Sequence, residues 1–249
     1  MKRKLENLRG WIRDIDTPVG LGFSGGVDSA FLLAALKKWC RYPVTPFCLI
    51  SPFLSNRERV HVANISNEIG LRPRYLRWNP FEDKKIYMND SRRCYFCKGR
   101  IYSTILTKAR QLDIPLILDG TQLDDIGRER PGLLALRELN IGTPLADCGM
   151  GKTDIRAVLR QWGYSFWKRE SESCLATRIA KDTLISKENL NIIEKLEDFF
   201  NEKRFNLQKI RIINKSVYIF IDFKEIERIK MYFKEIERIS EGFSFFFKI

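Results

Sequence analysis

The chain of 249 residues is 44% hydrophobic and 30% charged, a composition typical of a globular protein with a full core. It has no run of about twenty apolar residues and no apolar stretch at its charged N-terminus, so we expect no membrane span, no secretory signal and a cytoplasmic location. The formal net charge of +13 favours an anionic partner such as a nucleotide, a phosphorylated metabolite or nucleic acid.

The predicted elements alternate between strands and helices over the first part of the chain. An opening helix at about 5–15 precedes a strand at about 19–23, and further strands are predicted in "VTPFCLI", "PRYLRW" and "IPLILDG". Helices are predicted in "DSAFLLAALKKW", "RVHVANISNEIG", "YFCKGRIYSTILTKARQL" and "GKTDIRAVLRQWG". This alternation predicts an α/β fold, a parallel sheet with helices on both faces that binds its ligands at the carboxyl ends of the strands.

The pattern changes after about residue 179. A long helix at about 187–203 is followed by a predicted strand pair that turns at Asn214–Lys215, and "FSFFFKI" closes the chain as a strand. One amphipathic helix is predicted between them, from a single apolar stripe formed by Ile226, Ile229, Phe233 and Ile236. We therefore expect a large domain at 1–180 and a small α+β domain at 181–249, which would serve substrate binding or oligomer contacts.

The segment "SGGVDS" lies between the first strand and the N-terminus of a helix, a context typical of an anion site. Gly25 and Gly26 permit close approach of a ligand to the backbone, and Ser24 and Ser29 add hydroxyl donors. Asp28 is expected to hold a cation or orient a hydroxyl, and a carboxylate beside phosphates implies Mg²⁺. A second segment, "ADCGMGKT", is similar to a P-loop but has Ala146 at its first glycine and no uninterrupted strand before it, so we expect the first loop to bind the nucleotide.

Three of the six cysteines form a pattern that suggests chemistry. Cys94 and Cys97 form a C-x-x-C pair, and Cys174 lies far along the chain in "SCLATRI". The spacing alone leaves zinc, dithiol redox and iron–sulfur roles open, as well as three unrelated buried thiols. The basic residues between 91 and 110 favour thiolates. The remaining cysteines are expected to be small core residues: Cys40, Cys48 and Cys148.

Two resemblances sharpen this interpretation. "SGGVDS" resembles the PP-loop of the ATP pyrophosphatase superfamily, whose members cleave ATP to AMP and pyrophosphate and adenylate a substrate oxygen. Six segments resemble, in order and spacing, the LarE family of ATP-dependent sulfurtransferases of nickel-pincer cofactor biosynthesis: "GFSGGVDSAFL", "RRCYFCK", "LILDGTQLDD", "RPGLLALRELNIGTPLAD", "GKTDIRAVLRQWG" and "SCLATRI". The second resemblance implies adenylation of pyridinium-3,5-biscarboxylic acid mononucleotide, followed by displacement of AMP by sulfur to leave a thiocarboxylate.

The resemblance also implies roles for individual residues. It implies catalytic roles for Asp28 and Cys174, and an ATP site formed by Gly22, Ser24, Gly25, Gly26, Val27, Asp28, Ser29 and Gly120. It implies substrate binding by Thr177, Arg178, Glu194 (or, in its place, Glu197), Lys209 and Arg211. In some members a 4Fe–4S cluster on three cysteines carries the sulfur, here Cys94, Cys97 and Cys174, which is the version we expect, whereas others sacrifice the sulfur of the residue at Cys174. A sulfide donor and a homo-oligomer are further implied.

The sequence departs from the family pattern in several places. Lys209 stands where an arginine is usual, which keeps the charge but loses the bidentate fork. Gln122 replaces the commoner Asn, and Ile212 and Ile213 replace histidines. Two alternative functions remain open at this point: a tRNA thiolase of the same superfamily, suggested by the high positive charge, and a nucleotide-binding protein without catalytic activity.

Overall fold

The computed structural model describes residues 1–126, 131–170 and 172–248, so that Arg130 of the fourth LarE-like segment and Ile249 of the closing strand lie outside the described residues. The chain divides into two compact units, each made of separate stretches of sequence. The first contains Met1–Ser51, Asn56–Trp78 and Cys94–Glu172, and the second contains Pro52–Ser55, Asn79–Arg93 and Ser173–Ile249. No helix in the described part of the chain is long and apolar enough to cross a membrane.

The first unit contains a parallel sheet of four strands in the order β3-β2-β1-β4. The strands are β1 (Val19–Gly22), β2 (Val44–Ile50), β3 (Arg74–Arg77) and β4 (Leu116–Asp119). β1 is central, and Gly22 at its end pairs in register with Asp119 at the end of β4. Loops that follow these two strands therefore leave the same edge of the sheet, where ligands bind in open α/β folds.

Helices flank this sheet, and the predicted α/β class is confirmed. They are α1 (Lys2–Arg13), α2 (Val27–Trp39), α3 (Asn56–Ile69), α5 (Arg93–Arg110, whose first residue belongs to the second unit), α6 (Leu123–Ile126), α7 (Pro131–Glu138), α8 (Pro144–Asp147) and α9 (Lys152–Gln161). α2 is the most deeply buried: an unbroken apolar stretch from Ala30 to Leu36 is inaccessible to solvent or nearly so. It carries the glycine loop at its N-terminus, so a rigid core element supports that loop.

The second unit is built around a small mixed sheet. β5 (Leu207–Ile213) pairs antiparallel with β6 (Ser216–Ile221), and β6 pairs parallel with β7 (Ser244–Lys248). The predicted turn is confirmed, because Asn214 adopts a left-handed conformation with φ of 53° between β5 and β6. The helices of this unit are α4 (Lys84–Tyr87), α10 (Lys187–Glu202), α11 (Ile226–Lys230) and α12 (Phe233–Ile239).

The prediction of one amphipathic helix through Ile226 and Ile236 is wrong. The chain bends between α11 and α12, where the N–H of Tyr232 donates to the carbonyl of Ile229, three residues earlier, instead of continuing the α-helical pattern. The ring of Tyr232 packs edge-on against Phe199 and Phe205. Burying this aromatic ring competes with helix continuity, a tertiary preference that the sequence stripe does not contain.

Candidate functional site

The glycine loop leaves β1 and closes on the first turn of α2. Gly25 has φ of 76°, a left-handed conformation that favours glycine, and a Cβ there would lie 2.6 Å from the side chain of Val62. The Oγ atoms of Ser24 and Ser29 are 3.2 Å apart, and the Gly26 N–H donates to Ser24 Oγ at 3.3 Å. The loop thus collects hydroxyls and backbone N–H groups at the positive end of a helix.

Two close approaches require glycine around this loop. A Cβ on Gly120, directly after β4, would lie 2.8 Å from the backbone nitrogen of Ser29, so this position brings the end of β4 against the start of α2. A Cβ on Gly22 would lie 2.2 Å from the hydroxyl oxygen of Tyr102. Since real Cβ atoms do not approach heavy atoms this closely, any larger residue would force the backbone of the loop to move.

A half-buried ion pair contacts the backbone of the glycine loop. The guanidinium of Arg169 donates through Nη1 to the carbonyl of Gly25 at 2.9 Å and pairs through Nη2 with the carboxylate of Glu58. Burial raises the pKa of Glu58 above its ordinary value, and the charge of Arg169 opposes that change. This hydrogen bond fixes the orientation of the Gly25 carbonyl and with it the conformation of the loop.

Asp28 lies in the first turn of α2 and contributes a carboxylate to the loop. Its Oδ1 is buried and accepts no hydrogen bond from the described residues, whereas Oδ2 lies 3.5 Å from Nζ of Lys152. Burial raises the pKa of Asp28, and the neighbouring carboxylate of Asp125 raises it further, against the lowering effect of Lys152. A buried acceptor without a partner is costly unless a ligand or cation completes the site.

Lys152 comes from the second loop, "ADCGMGKT". The helix α8, and not a strand, precedes this loop, as the interrupted sequence predicted for a segment that is not a true P-loop. Its backbone is fixed by Asp124, whose Oδ2 accepts from the N–H of Lys152 at 2.9 Å and lies close to Gly151. The two loops compared in the sequence are therefore neighbours, and the second supplies a cation to the first.

A second aspartate, Asp119 at the end of β4, has a saturated environment. Its Oδ2 accepts from Nζ of Lys98 at 2.6 Å and from the hydroxyl of Tyr102, and its Oδ1 accepts from the N–H of Thr121 at 2.8 Å and from the hydroxyl of Thr121. Burial alone would raise the pKa of Asp119, but the charge of Lys98 and these hydrogen bonds hold it below its ordinary value. Burial and the Asp119 charge together raise the pKa of Tyr102 well above its ordinary value.

The cysteines of α5 are accessible, unlike the core thiol of the sheet. Cys94 is exposed and Cys97 is partly exposed, three residues apart on one helical face. In β2, by contrast, burial raises the pKa of Cys48 to about 12, as fits the predicted core thiol, while Cys40 and Cys148 are half-buried. Within the described residues, no three His, Cys, Asp or Glu side chains are grouped closely enough to hold a metal ion. The 4Fe–4S cluster on Cys94, Cys97 and Cys174 therefore stays a prediction.

The segment that carries Cys174 lies in the second unit and is held by arginines. Cys174 is exposed and caps a short 3-10 helix, Leu175–Arg178. Carbonyls of this segment accept hydrogen bonds from three guanidinium groups: Arg178 to Cys174 at 3.2 Å, Arg93 to Ala176 at 2.9 Å, and Arg211 to Thr177 at 3.3 Å. The segment is thus fixed through its backbone, with the thiol left exposed.

The remaining predicted substrate residues differ in their surroundings. Lys209 is exposed on β5, two residues from Arg211, with its ammonium 4.4 Å from the ring centre of Phe220. Glu197 is buried on α10, and its carboxylate accepts a hydrogen bond from Nε of Arg178 at 2.8 Å. Glu194, one turn earlier on the same helix, is half-buried. The structure therefore pairs Arg178 with the alternative glutamate, Glu197.

Comparison with known proteins finds relatives of this chain. No protein-family model matches the chain. The uncharacterized protein MJ0830 of Methanocaldococcus jannaschii is 33% identical over 183 residues, which cover 72% of this chain and 68% of that protein. The chain belongs to the MJ0830 family. Two further relatives are the uncharacterized protein slr1717 of Synechocystis sp., 26% identical over 85% of this chain and 78% of its own length, and the pyridinium-3,5-bisthiocarboxylic acid mononucleotide synthase of Lactiplantibacillus plantarum, 25% identical over 79% and 71%.

In this member of the MJ0830 family, the sequence predicted the residues of the glycine loop and of the Cys174 segment. It did not predict several side chains that contact the glycine loop. The structure brings the predicted loop residues together in the first unit, and brings Cys174, Thr177, Arg178 and Arg211 together in the second. It adds Lys152 and Arg169, which contact the glycine loop and were not predicted from the sequence, and beside them a structural network around Asp119. The similarity of "ADCGMGKT" to a P-loop, a motif whose lysine contacts phosphates, is the sequence signal that could have indicated Lys152.

Proposed function

We propose that this protein is an ATP-dependent sulfurtransferase that adenylates a carboxylate, releases pyrophosphate and replaces AMP by sulfur to give a thiocarboxylate. The proposed substrate is pyridinium-3,5-biscarboxylic acid mononucleotide. One observation carries the proposal: the glycine loop presents backbone and hydroxyl donors beside an incompletely satisfied Asp28 and a lysine from a second loop. The similarity to the L. plantarum synthase supports the choice of substrate and product class.

The triphosphate of ATP suits the donor groups of the glycine loop. Ser24 and the N–H groups at the start of α2 can donate to phosphate oxygens, and Lys152 adds a positive charge next to them. The Ser29 hydroxyl, which donates to the Gly26 carbonyl at 3.0 Å, would have to turn toward the phosphate to do the same. The buried Oδ1 of Asp28, which has no donor among the described residues, is a suitable oxygen ligand for a cation. Mg²⁺ held by Asp28 would neutralise phosphate charge; Lys152, 3.5 Å away, would then be released from Asp28 to pair with a phosphate.

The proposed reaction balances in two steps. A carboxylate oxygen of the substrate attacks the α-phosphorus of ATP, the bond to the β-phosphate oxygen breaks, and pyrophosphate leaves to give an acyl adenylate. A sulfur nucleophile then attacks the acyl carbon, and the bond to AMP breaks with the electron pair leaving on the AMP oxygen. The first step uses the donors around Asp28, which stabilise charge on the leaving pyrophosphate.

The proposed reaction has two candidate sources of sulfur. Delivery through a 4Fe–4S cluster remains a prediction, in which Cys94, Cys97 and Cys174 would hold the cluster and the cluster would supply the sulfur. The exposed Cys174 is the alternative donor, and in that case the residue would lose the elements of H₂S and become dehydroalanine. Iron analysis of anaerobically purified and reconstituted protein separates these routes: iron bound in proportion to protein supports the cluster, and its absence with a loss of H₂S from the Cys174 peptide supports the donor thiol.

Pyrophosphate release tests the central claim. Purified protein with ATP, Mg²⁺ and pyridinium-3,5-biscarboxylic acid mononucleotide should release pyrophosphate, and thiocarboxylate should form only when a sulfur source is present. The matched controls omit the carboxylate or replace it by the corresponding amide, which cannot be adenylated in the same way. Pyrophosphate release that does not depend on the carboxylate would contradict the proposed function.

A further inference from the structure

Arg178 stands at the centre of the segment that carries Cys174, and its hydrogen bonds are already made. Its Nε and Nη2 contact the two carboxylate oxygens of Glu197 at 2.8 and 3.4 Å. Its Nη1 donates to the carbonyl of Ser173, to Ser173 Oγ at 3.0 Å and to the carbonyl of Cys174 at 3.2 Å. All three nitrogens of the guanidinium are therefore engaged within the protein.

The other partner of this contact, Glu197, is suited to hold an arginine in one orientation. It is 8% exposed on α10, which is buried along the face that bears it, and Arg178 is 15% exposed in its side chain. A fork-to-fork pair of this kind fixes the plane of the guanidinium as well as its position. Since α10 is a 16-residue helix, Glu197 anchors the arginine to one of the longer elements of the second unit.

We propose that Arg178 and Glu197 are positioning residues that hold the Cys174 segment in place, instead of binding the substrate. Glu197 orients the guanidinium, and the guanidinium holds the carbonyls of Ser173 and Cys174 so that the exposed thiol has one position. This replaces the substrate-binding role that the sequence resemblance implied for Arg178. The inference rests on the proposed function for the use of Cys174, but its structural part can be tested without any substrate.

Hydrogen exchange of individual amides, read by mass spectrometry or NMR, tests the positioning role directly. In the variant Glu197→Gln, the amides of Leu175 and Thr177 should exchange on the order of tenfold faster, because the N–H of Thr177 donates to the Cys174 carbonyl and the N–H of Leu175 to that of Phe53. The control Glu202→Gln makes the same chemical change at an exposed position of the same helix and should leave these amides unchanged. Unchanged exchange in Glu197→Gln would overturn the proposal.

A second variant keeps the test informative if Glu197→Gln folds poorly. Arg178→Lys keeps the positive charge but cannot form the fork, and it should accelerate exchange at the same two amides while amides within β5 and β6 stay protected. Equal acceleration throughout the second unit would overturn the proposal, because the pair would then support the whole unit and not the cysteine segment.

The kinetic signature separates positioning from substrate binding. With positioning, both variants should release pyrophosphate with a KM for the carboxylate within about twofold of the wild-type value, while thiocarboxylate formation falls on the order of tenfold or more. A raised KM with normal amide exchange would overturn the proposal and return Arg178 to the substrate site. Failure of the proposed function would look different, as an absence of carboxylate-dependent pyrophosphate release in the wild-type protein.

Discussion

Asp28 and Asp119 lie beside the same edge of the sheet in the first unit, yet their environments are opposite. Asp119 accepts from Lys98, Tyr102 and Thr121, and its pKa lies below the ordinary value. Asp28 has one buried oxygen without a donor among the described residues, and its pKa is raised. Both oxygens of Asp119 accept hydrogen bonds within the fold. In Asp28, Oδ2 lies near Lys152, whereas Oδ1 lacks a donor among the described residues. This difference separates a structural group from a candidate binding group.

The largest effect on stability is expected when the cation that pairs with Asp119 is removed. Lys98→Met would leave Asp119 buried next to an empty position, and we expect a loss of about 2–4 kcal/mol in the free energy of unfolding, less than for a fully buried pair because Lys98 is 33% exposed. Denaturant unfolding followed by circular dichroism measures this loss. Lys108→Met, on the same helix but bonded to exposed Gln111, is the control and should change stability by about 0.5 kcal/mol or less.

The opposite response is expected at the incomplete site. Asp28→Asn removes a partly buried charge whose Oδ1 has no donor among the described residues, so the free energy of unfolding at pH 7 should rise by about 1 kcal/mol, measured as a higher Tm. Carboxylate-dependent pyrophosphate release should fall on the order of a hundredfold. The matched variant Asp119→Asn should instead lower the Tm. A destabilised Asp28→Asn would mean that Asp28 is a structural group after all.

The pH dependence sharpens the same contrast. Because folding raises the pKa of Asp28, its favourable contribution is complete below the ordinary value of 3.8 and is lost as the pH rises through the raised folded value. The stability advantage of Asp28→Asn should therefore shrink as the pH falls from 7 toward 4. The stabilisation from Asp119, whose pKa is lowered, is complete above 3.8 and is lost only as the pH falls through its lower folded value. Thermal unfolding across pH 4–7 checks this contrast, because the difference in Tm from the wild type should change with pH for Asp28→Asn and stay nearly constant for Asp119→Asn.

The sequence predicted this edge of the sheet well, because local patterns decide strands, helices and glycine loops. β2 matches the apolar run "VTPFCLI" along its whole length, and the strand-loop-helix context of "SGGVDS" predicted the position of its donors. The structure gives its own reason for glycine at position 25, a positive φ and the nearby side chain of Val62, whereas the close approach of a ligand there stays a prediction.

The side-chain partners could not be predicted from the sequence in the same way. Lys98 reaches Asp119 from a different element, and Lys152 reaches Asp28 across 124 residues of sequence; only the fold brings them together. A charged residue in a motif indicates a charge, but not whether its hydrogen bonds are already made. The resemblance implied substrate binding for Arg178, but it did not indicate that all three guanidinium nitrogens contact protein atoms.

The smallest stability effect is expected at Lys152, the partner of the incomplete carboxylate. The ion pair is 3.5 Å long and its side chains are 34% and 23% exposed, so Lys152→Met should change the free energy of unfolding by less than about 1 kcal/mol. Pyrophosphate release should nevertheless fall on the order of a hundredfold, because the proposed role of Lys152 is exercised only when a phosphate is bound. Lys152→Arg, which keeps the charge, should recover part of this activity. If Lys152→Met instead costs as much stability as Lys98→Met, both pairs are structural, and the distinction between the two aspartates fails.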